Sequence, residues 1–287
     1  MFLNTSSSDS QPVVWIGPES DELNLTQDLV ALDLKRLRIP LKTFSSLQDA
    51  LKSAAQTPRT PQLSILATNS TAQWSIACVA QLTRAWPLMP VVLVTSTLVE
   101  GRRRSGPALP GIEDVPWCDL PGRLHTWLTT WKLGRTGTLA APMANRRDER
   151  LLGIKANTAD TQKTVSVVAS TPMDAEGIAS LIPLTGGMLT TTSYQRPSLE
   201  DSSSVLIWDV GTPTSDDMSW LGMLSANRPH LKIIMIESFP RADTVRAALD
   251  AGAAAVLTKP LSLEALMGIF SQIDADSDGI GPTTSHC

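Results

Sequence analysis

The sequence predicts two α/β domains in tandem, each a doubly wound parallel β-sheet with helices on both faces. Short apolar runs typical of buried strands alternate with longer amphipathic patterns typical of helices. This alternation occurs twice in the same order, and residues 134–162 between the halves have no strand pattern. A chain of 287 residues is long enough for two domains of about 100–150 residues each.

In the first half, five strand-like runs are joined by four helical patterns. Leu25, Leu29 and Leu32 fall near helical spacing, and Asp21 and Ser45 are the expected N-caps of the first two helices. The predicted strands cover 13–17, 39–44, 63–68, 90–97 and 113–118, and the predicted helices cover 21–37, 45–55, 72–86 and 121–133.

The second half repeats this order with one helix shortened or missing. Only the polar segment QRPSLEDSS separates its second and third strands, whereas Val245, Ala248 and Leu249 form a clear apolar stripe that Gly252 closes. The predicted strands cover 164–170, 188–194, 204–210, 232–238 and 253–259, and the predicted helices cover 174–182, 215–226, 241–251 and 262–273.

These patterns set the expected domain boundaries. The first domain covers 1–133, and the second covers 163–273. Residues 134–162 are rich in Gly, Ala, Thr and charge, which is typical of a linker. The last segment, 274–287, is expected to be a flexible acidic tail.

Composition and charge exclude several classes of protein. The net charge of −4 argues against direct nucleic-acid binding by the whole molecule. Three widely spaced cysteines indicate reduced thiols in a cytoplasmic protein, with neither a disulfide framework nor a zinc site. The amino-terminal segment lacks the basic and apolar regions of a signal peptide, and no apolar run approaches the roughly 18–20 residues of a membrane span.

Ligands of open α/β sheets lie at the carboxyl ends of the strands, so these positions are the candidate site. In the second domain they are Ala169-Ser170, Asp209, Glu237-Ser238 and Lys259-Pro260. A lysine is costly to bury without a partner. Lys259 therefore either projects into solvent or reaches a group that carries negative charge.

The segments VLIWDVGTP, KIIMIES and DAGAAAVLTKPLSLEAL, with their spacing, resemble the receiver domain of bacterial response regulators, the CheY-like member of the flavodoxin-like (βα)5 folds. The resemblance covers 163–273. It implies that Asp209 occupies the phosphoacceptor position and that Lys259, held by Pro260, reaches across to it. In that family a pair of acids after the first strand holds Mg²⁺, and a Thr or Ser ends the fourth strand.

The second domain departs from this pattern at two places. Ala169 and Ser170 stand where the family has its acid pair, and one Asp with a hydroxyl is a poor Mg²⁺ cage. Glu237 stands at the switch-hydroxyl position, with Ser238 next to it; a glutamate there would repel a phosphorylated aspartate and could pair with Lys259 instead. We therefore expect a pseudo-receiver without a metal or other cofactor.

The first domain departs further from the pattern. In the same frame the acid-pair position falls near Gly17-Pro18, the acceptor position at Ala67 and the lysine position near Cys118, while Thr95 keeps its residue type. The loop after the fourth strand carries Arg102, Arg103 and Arg104. This triplet is either an anion-binding or partner-binding patch or a solvated loop.

Two surfaces are candidates for contacts between domains or protomers. Trp127 and Trp131 lie four residues apart on the predicted helix 121–133, which indicates either a core within the domain or a helix that packs against the other domain or a second protomer. Residues 241–273 keep both helical patterns of the face that receivers use for dimers, so a homodimer through this face is expected.

The sequence thus favours a non-catalytic signalling protein that acts through protein–protein contacts and without phosphorylation. The expected partners are proteins, such as a transcription regulator or a histidine kinase. The alternative is a two-component response regulator, part of a phosphorelay, that is phosphorylated on Asp209 and controls transcription through a partner or a missing output domain. No nucleophile–base pair supports an enzyme.

Overall fold

The computed structural model describes residues 10–56, 59–99, 109, 111–134, 139 and 163–278, without the side chains of 275–278. The chain forms two compact units, and the boundary between them falls between Trp117 and Cys118. Arg102, Arg103 and Arg104, residues 279–287 and nearly all of the predicted linker 134–162 lie outside the described residues.

The first unit is built on a sheet of five parallel strands in the order β2-β1-β3-β4-β5. Among the described residues of this unit, three helices and a short 3-10 helix at Thr97–Val99 connect the strands. The core includes Ile16, Leu66 and Leu93 from the sheet and Leu82 from a helix. The elements are β1 Val13–Ile16, α1 Asp21–Leu37, β2 Leu41–Phe44, α2 Leu47–Gln56, β3 Leu63–Thr68, α3 Ile76–Ala85, β4 Val91–Thr95 and β5 Glu113–Pro116.

The second unit repeats the plan, with the strand order β7-β6-β8-β9-β10 and parallel pairing throughout. This 2-1-3-4-5 order in both sheets confirms the predicted fold class, two flavodoxin-like α/β domains. The elements are α4 Leu120–Lys132, β6 Thr164–Ala169, α5 Pro172–Ala179, a 3-10 helix at Ile182–Thr185, β7 Met188–Ser193, β8 Val205–Gly211, α6 Ser215–Asn227, β9 Lys232–Glu237, α7 Ala242–Asp250, β10 Ala253–Thr258 and α8 Leu263–Asp278.

The N-caps of α1 and α2 differ by one residue from the expected ones. The Ser20 hydroxyl accepts a hydrogen bond from the Leu23 amide, so Asp21 is the first helical residue and not the cap. The Ser46 hydroxyl, not that of Ser45, accepts from the Asp49 amide at 3.2 Å. A serine side chain can accept a hydrogen bond from a free amide of the first turn when it lies three residues before that amide, as Ser20 and Ser46 do.

No helix is described between Ser193 and Val205, where the sequence predicts a shortened or missing one. The segment that replaces it is tied to α6 instead. Trp220 Nε1 donates to the Pro197 carbonyl oxygen at 3.0 Å, and the Arg196 guanidinium lies 5.4 Å from the centre of the Trp220 ring. An irregular segment fixed in this way covers less of the sheet than a helix.

Helix α4, which the sequence analysis assigned to the first domain, packs along α8 within the second unit. The two helices cross at glycines: a Cβ on Gly268 would lie only 1.8 Å from the Gly122 carbonyl oxygen. Next to the crossing, the Arg123 guanidinium pairs with the Glu264 carboxylate at 2.6 Å. The surface 241–273 that was predicted for a homodimer is therefore covered, over its α8 part, by a helix of the same chain.

Helix α8 continues to Asp278, beyond the predicted end at residue 273. The last turns of α8 bind Lys163, the residue immediately before β6. Lys163 Nζ donates to the Phe270 carbonyl oxygen and lies 2.6 Å from Asp274 Oδ2. Burial lowers the pKa of Lys163, and the hydrogen bond and charge of Asp274 oppose this shift. Among the described helices, none is long and apolar enough to cross a membrane.

Candidate functional site

The candidate site lies at the carboxyl ends of β6, β8, β9 and β10 in the second unit. Asp209 is near the end of β8, and its side chain is fully buried. One carboxylate oxygen, Oδ1, accepts a hydrogen bond from the Gly211 amide at 3.2 Å. A carboxylate that is removed from water in this way needs a positive partner.

Lys259 supplies that partner. Its Nζ lies 2.6 Å from Asp209 Oδ2, and the Lys259–Pro260 peptide bond that follows is cis. The Lys259 side chain keeps 30% of its surface exposed, so water reaches the lysine of the pair but not the buried Asp209 carboxylate. The lysine at the end of β10 thus reaches an anion rather than open solvent.

The pKa of Lys259 reflects two opposed influences. Partial burial acts to lower it, but the hydrogen bond to Asp209 and the charges of Asp209 and Asp174 outweigh burial. The net effect is a pKa above the usual value for lysine. The ammonium is therefore charged at every pH at which the protein is expected to work.

Asp174 is a member of the site that the sequence analysis missed. Its Oδ1 lies 3.5 Å from Lys259 Nζ. It is placed by the start of α5, where Thr171 is the N-cap and its hydroxyl donates to Asp174 Oδ2 at 2.7 Å. This hydrogen bond lowers the pKa of Asp174, and Lys259 adds to the effect. The T-x-x-D spacing of a helix start is the signal that could have found it.

Ala169 and Ser170 lie where they were expected, at the end of β6. Ala169 is buried and Ser170 is exposed, and neither offers a carboxylate. In the described part of the chain, no group of three or more His, Cys, Asp or Glu residues could hold a metal ion. Because Lys259 already engages Asp209 and Mg²⁺ requires several oxygen ligands, these residues do not fit a Mg²⁺ site.

Glu237 ends β9 and is 1% exposed. Its Oε2 accepts a hydrogen bond from the Thr244 hydroxyl of α7 at 3.1 Å, whereas its buried Oε1 has no hydrogen-bond partner. Lys259 forms ion pairs with Asp209 and Asp174, whereas Glu237 is bonded to Thr244, so the pairing of Glu237 with Lys259 considered above is not formed. Burial raises the pKa of Glu237, the Thr244 hydrogen bond opposes this, and the charge of Asp243 adds to it.

Ser238 follows directly and connects the ends of two strands. Its amide donates to the Gly211 carbonyl oxygen at 2.7 Å. The register of β8 with β9 shifts between Asp209 and Gly211, so that Gly211 lies opposite Glu237. Asp209 lies opposite Ile236, so alternation along β9 places Glu237 on the other face of the sheet. There Glu237 meets α7, whereas Asp209 meets Lys259.

In the first unit, the strand ends that correspond to this site are packed against neighbouring groups. The carbonyl oxygen of Ala67, the residue predicted for the acceptor position, accepts a hydrogen bond from Trp74 Nε1 at 2.9 Å. Gly17 approaches so closely that a Cβ there would lie 2.5 Å from the same oxygen. The Thr95 hydroxyl is used inside the unit, as a donor to the Val115 carbonyl oxygen at 3.3 Å. This end of the first sheet has no carboxylate at the acceptor position.

Replacing Lys259 with alanine is expected to lower the free energy of unfolding by about 2–3 kcal/mol, because it leaves the buried Asp209 carboxylate without its cation. This is less than for a fully buried pair, since Lys259 is partly exposed. Urea denaturation of the variant measures the loss. The double variant Lys259→Ala, Asp209→Asn removes the stranded charge as well and should recover most of the stability; equal losses in the two variants would contradict the assignment.

Glu237→Gln is expected to make the protein more stable at neutral pH. The folded-state pKa of Glu237 lies above its usual value of 4.5. Below that value the carboxyl is neutral in both states and the substitution changes little. As the pH rises, the unfolded chain ionises first, so the wild type loses stability relative to the variant. Thermal unfolding from pH 4 to 8, with the exposed Asp250→Asn as control, tests the sign: a gain that shrinks with rising pH would contradict it.

Comparison with known proteins gives similarities of fold. No protein-family model matches the chain, and no curated protein matches it in sequence. Among solved structures, it is similar to a protein from Burkholderia pseudomallei described as pilus assembly-related, with 17% identity over 41% of this chain and 92% of that one and a TM-score of 0.37. A response regulator from Thermotoga maritima has 15% identity over 40% of this chain and 99% of that one, with a TM-score of 0.35. A CheY-like receiver domain from Methanospirillum hungatei has 17% identity, 41% and 98% coverage and a TM-score of 0.36.

Proposed function

We propose that this chain is a non-catalytic signalling protein whose two receiver-like units act through contacts with other proteins and without phosphorylation. The observation that carries the proposal is the state of Asp209. Its carboxylate is buried, bonded to the Gly211 amide and paired with Lys259 at 2.6 Å, in a cleft whose residues do not fit the metal that phosphoryl transfer needs.

Glu237 supports the same conclusion from the other side of the site. In the receiver domains that the second unit resembles, a Thr or Ser ends the strand that corresponds to β9. Glu237 is instead buried and held by Thr244 of α7. Moving it into the cleft would bring a carboxyl group beside Asp209 and Asp174, which electrostatic repulsion disfavours.

The first unit gives the proposal its second support. With Ala67 at the predicted acceptor position and Trp74 bonded to its carbonyl oxygen, that position offers no carboxylate to phosphorylate. Both units would therefore present fixed surfaces. We propose a cytoplasmic protein with protein partners, of which a transcription regulator or a histidine kinase is the expected class; direct binding to nucleic acid is not part of the proposal.

A second candidate function is a response regulator phosphorylated on Asp209. The observation that favours it is Asp174, which brings a second carboxylate to within 3.5 Å of the same lysine nitrogen. If Lys259 moved aside, Asp174 at the start of α5 and Asp209 near the end of β8 would both offer oxygen ligands.

Phosphorylation with acetyl phosphate and MgCl₂ separates the two functions. We expect no phosphoryl incorporation by intact-protein mass spectrometry under conditions that fully modify a CheY-like control. Incorporation that Asp209→Asn abolishes would overturn the proposal in favour of the second candidate. The Asp174→Asn variant should then lose incorporation as well.

Partner capture tests the role of the cleft. Pull-down from the native cell, with wild type and Lys259→Ala as baits, is expected to give different sets of partners if the cleft shapes a binding surface. A folded Lys259→Ala variant that retains the wild-type set would make the cleft irrelevant to binding.

A further inference from the structure

Strand β7 is an open edge of the second sheet. Its described pairing is with β6 on one side, and the sheet order ends there. Met188 to Thr192 are all exposed, so neither face of the strand is covered. Met188 is 50% exposed and Leu189 is 39% exposed. The cause lies in the sequence, because the segment that replaces the missing helix is tied to α6 through Trp220 and leaves the strand uncovered.

This edge lacks most of the devices by which proteins prevent strand pairing. Natural edge strands are kept apart by charges, prolines, bulges or shortness. Residues 177–195 contain no Asp, Glu, Lys, Arg or His, and β7 itself contains no proline. By contrast, β2 at the corresponding edge of the first sheet is shorter and carries Lys42. The one device present is a register shift beside Thr190, after which Thr191, Thr192 and Ser193 pair regularly with β6.

The composition of β7 is complementary to itself. In an antiparallel arrangement about a two-fold axis, the first residues of one strand lie opposite the last residues of the other. Met188 and Leu189 would then lie beside Tyr194 of the copy, which is 49% exposed, and the threonines would face each other in the centre. Aromatic–aliphatic and Thr–Thr pairs across strands are favourable, and no like charges meet.

We propose that β7 is a homodimer interface, at which two copies of this chain pair their β7 strands antiparallel and join their second sheets into one. The occupant of this edge is thus a second copy. The pairing would satisfy the outward backbone groups of the strand and cover exposed Met188, Leu189 and Tyr194. It does not depend on phosphorylation at Asp209 and leaves α8 in its contact with α4.

Sedimentation velocity of the full chain over a concentration series tests the interface, with Thr191→Lys as the interface variant. We expect a dimer in the wild type and its loss in the variant, because antiparallel pairing brings the two introduced lysines close together. Ser219→Lys, an exposed position on α6, adds the same charge elsewhere and should leave the dimer intact. Circular dichroism establishes that both variants are folded.

Amide hydrogen exchange tests whether the two copies contact each other through β7. Residues 188–193 of the wild type should exchange more slowly at concentrations where the dimer forms, and this protection should be absent in Thr191→Lys. A wild type that stays monomeric over the series, or a dimer that Thr191→Lys retains, would overturn the proposal. A partner strand from another protein, with no self-association, counts among the results that overturn it.

Discussion

Arg123→Ala is expected to lower the free energy of unfolding of the second unit by about 3–5 kcal/mol, the largest loss among the substitutions considered. Arg123 and Glu264 are almost completely buried, with side chains 9% and 12% exposed, and two guanidinium nitrogens donate to Glu264 Oε2 at 2.6 and 3.1 Å. The guanidinium also lies 5.1 Å from the centre of the Trp127 ring. Alanine leaves the Glu264 carboxylate buried without this cation.

The chain provides a matched control in Arg196. It also combines a carboxylate, Asp217 at 3.5 Å, with a tryptophan ring, but its side chain is 47% exposed. Arg196→Ala should cost only about 0–1 kcal/mol, since water replaces much of the lost interaction. Urea denaturation of both variants gives the comparison. Similar losses for Arg123→Ala and Arg196→Ala would show that burial does not control the strength of the first pair.

Gly268→Ala is expected to destabilise the second unit by about 1–3 kcal/mol or more, through overpacking. A Cβ at this position would lie 1.8 Å from the Gly122 carbonyl oxygen and 2.6 Å from the attached carbon. The backbone of α4 cannot rotate away as a flexible side chain can, so the two helices must separate. The reciprocal change, Gly122→Ala, would place a Cβ 2.4 Å from the Ala265 carbonyl oxygen and should also destabilise.

Gly222→Ala is the control for the helix crossing. Gly222 lies in α6, and no atom would lie within 4 Å of an added Cβ. Alanine there should raise stability by about 0.5–1 kcal/mol, because it restricts the unfolded chain and favours the helix. Thermal denaturation should therefore shift in opposite directions for the two glycines. A shift in the same direction would mean that the close crossing of α4 and α8 does not exist in solution.

The alternation of apolar runs was sufficient to predict the two sheets, since the central strands are continuous buried runs such as Val205–Trp208. Periodicity also found helix α4, but it could not identify the surface that α4 packs against. Trp127 would be apolar and helical in either domain. The choice depends on the glycines Gly122 and Gly268, which meet only after the chain has folded.

Part of the candidate site could also be predicted. Asp209 and Lys259 were located because each ends a strand, and parallel strand ends meet at one edge of the sheet. Asp174 was missed because its position depends on where α5 begins: the predicted start at residue 174 hides the cap at Thr171. Glu237 was placed in the cleft through the spacing of the family pattern, whereas in the structure its carboxylate is bonded to Thr244 of α7.

The ion pair between Lys163 and Asp274 limits where a fragment of the second unit can end. A fragment that stops at residue 273, where the apolar pattern fades, would lack the Asp274 carboxylate and retain a largely buried ammonium beside Phe270. Only the bond to the Phe270 carbonyl oxygen would then hold Lys163 to α8. A fragment that preserves the charge pair must therefore extend past the last residue that the hydrophobic pattern accounts for, and it must also contain α4, which belongs to the same unit.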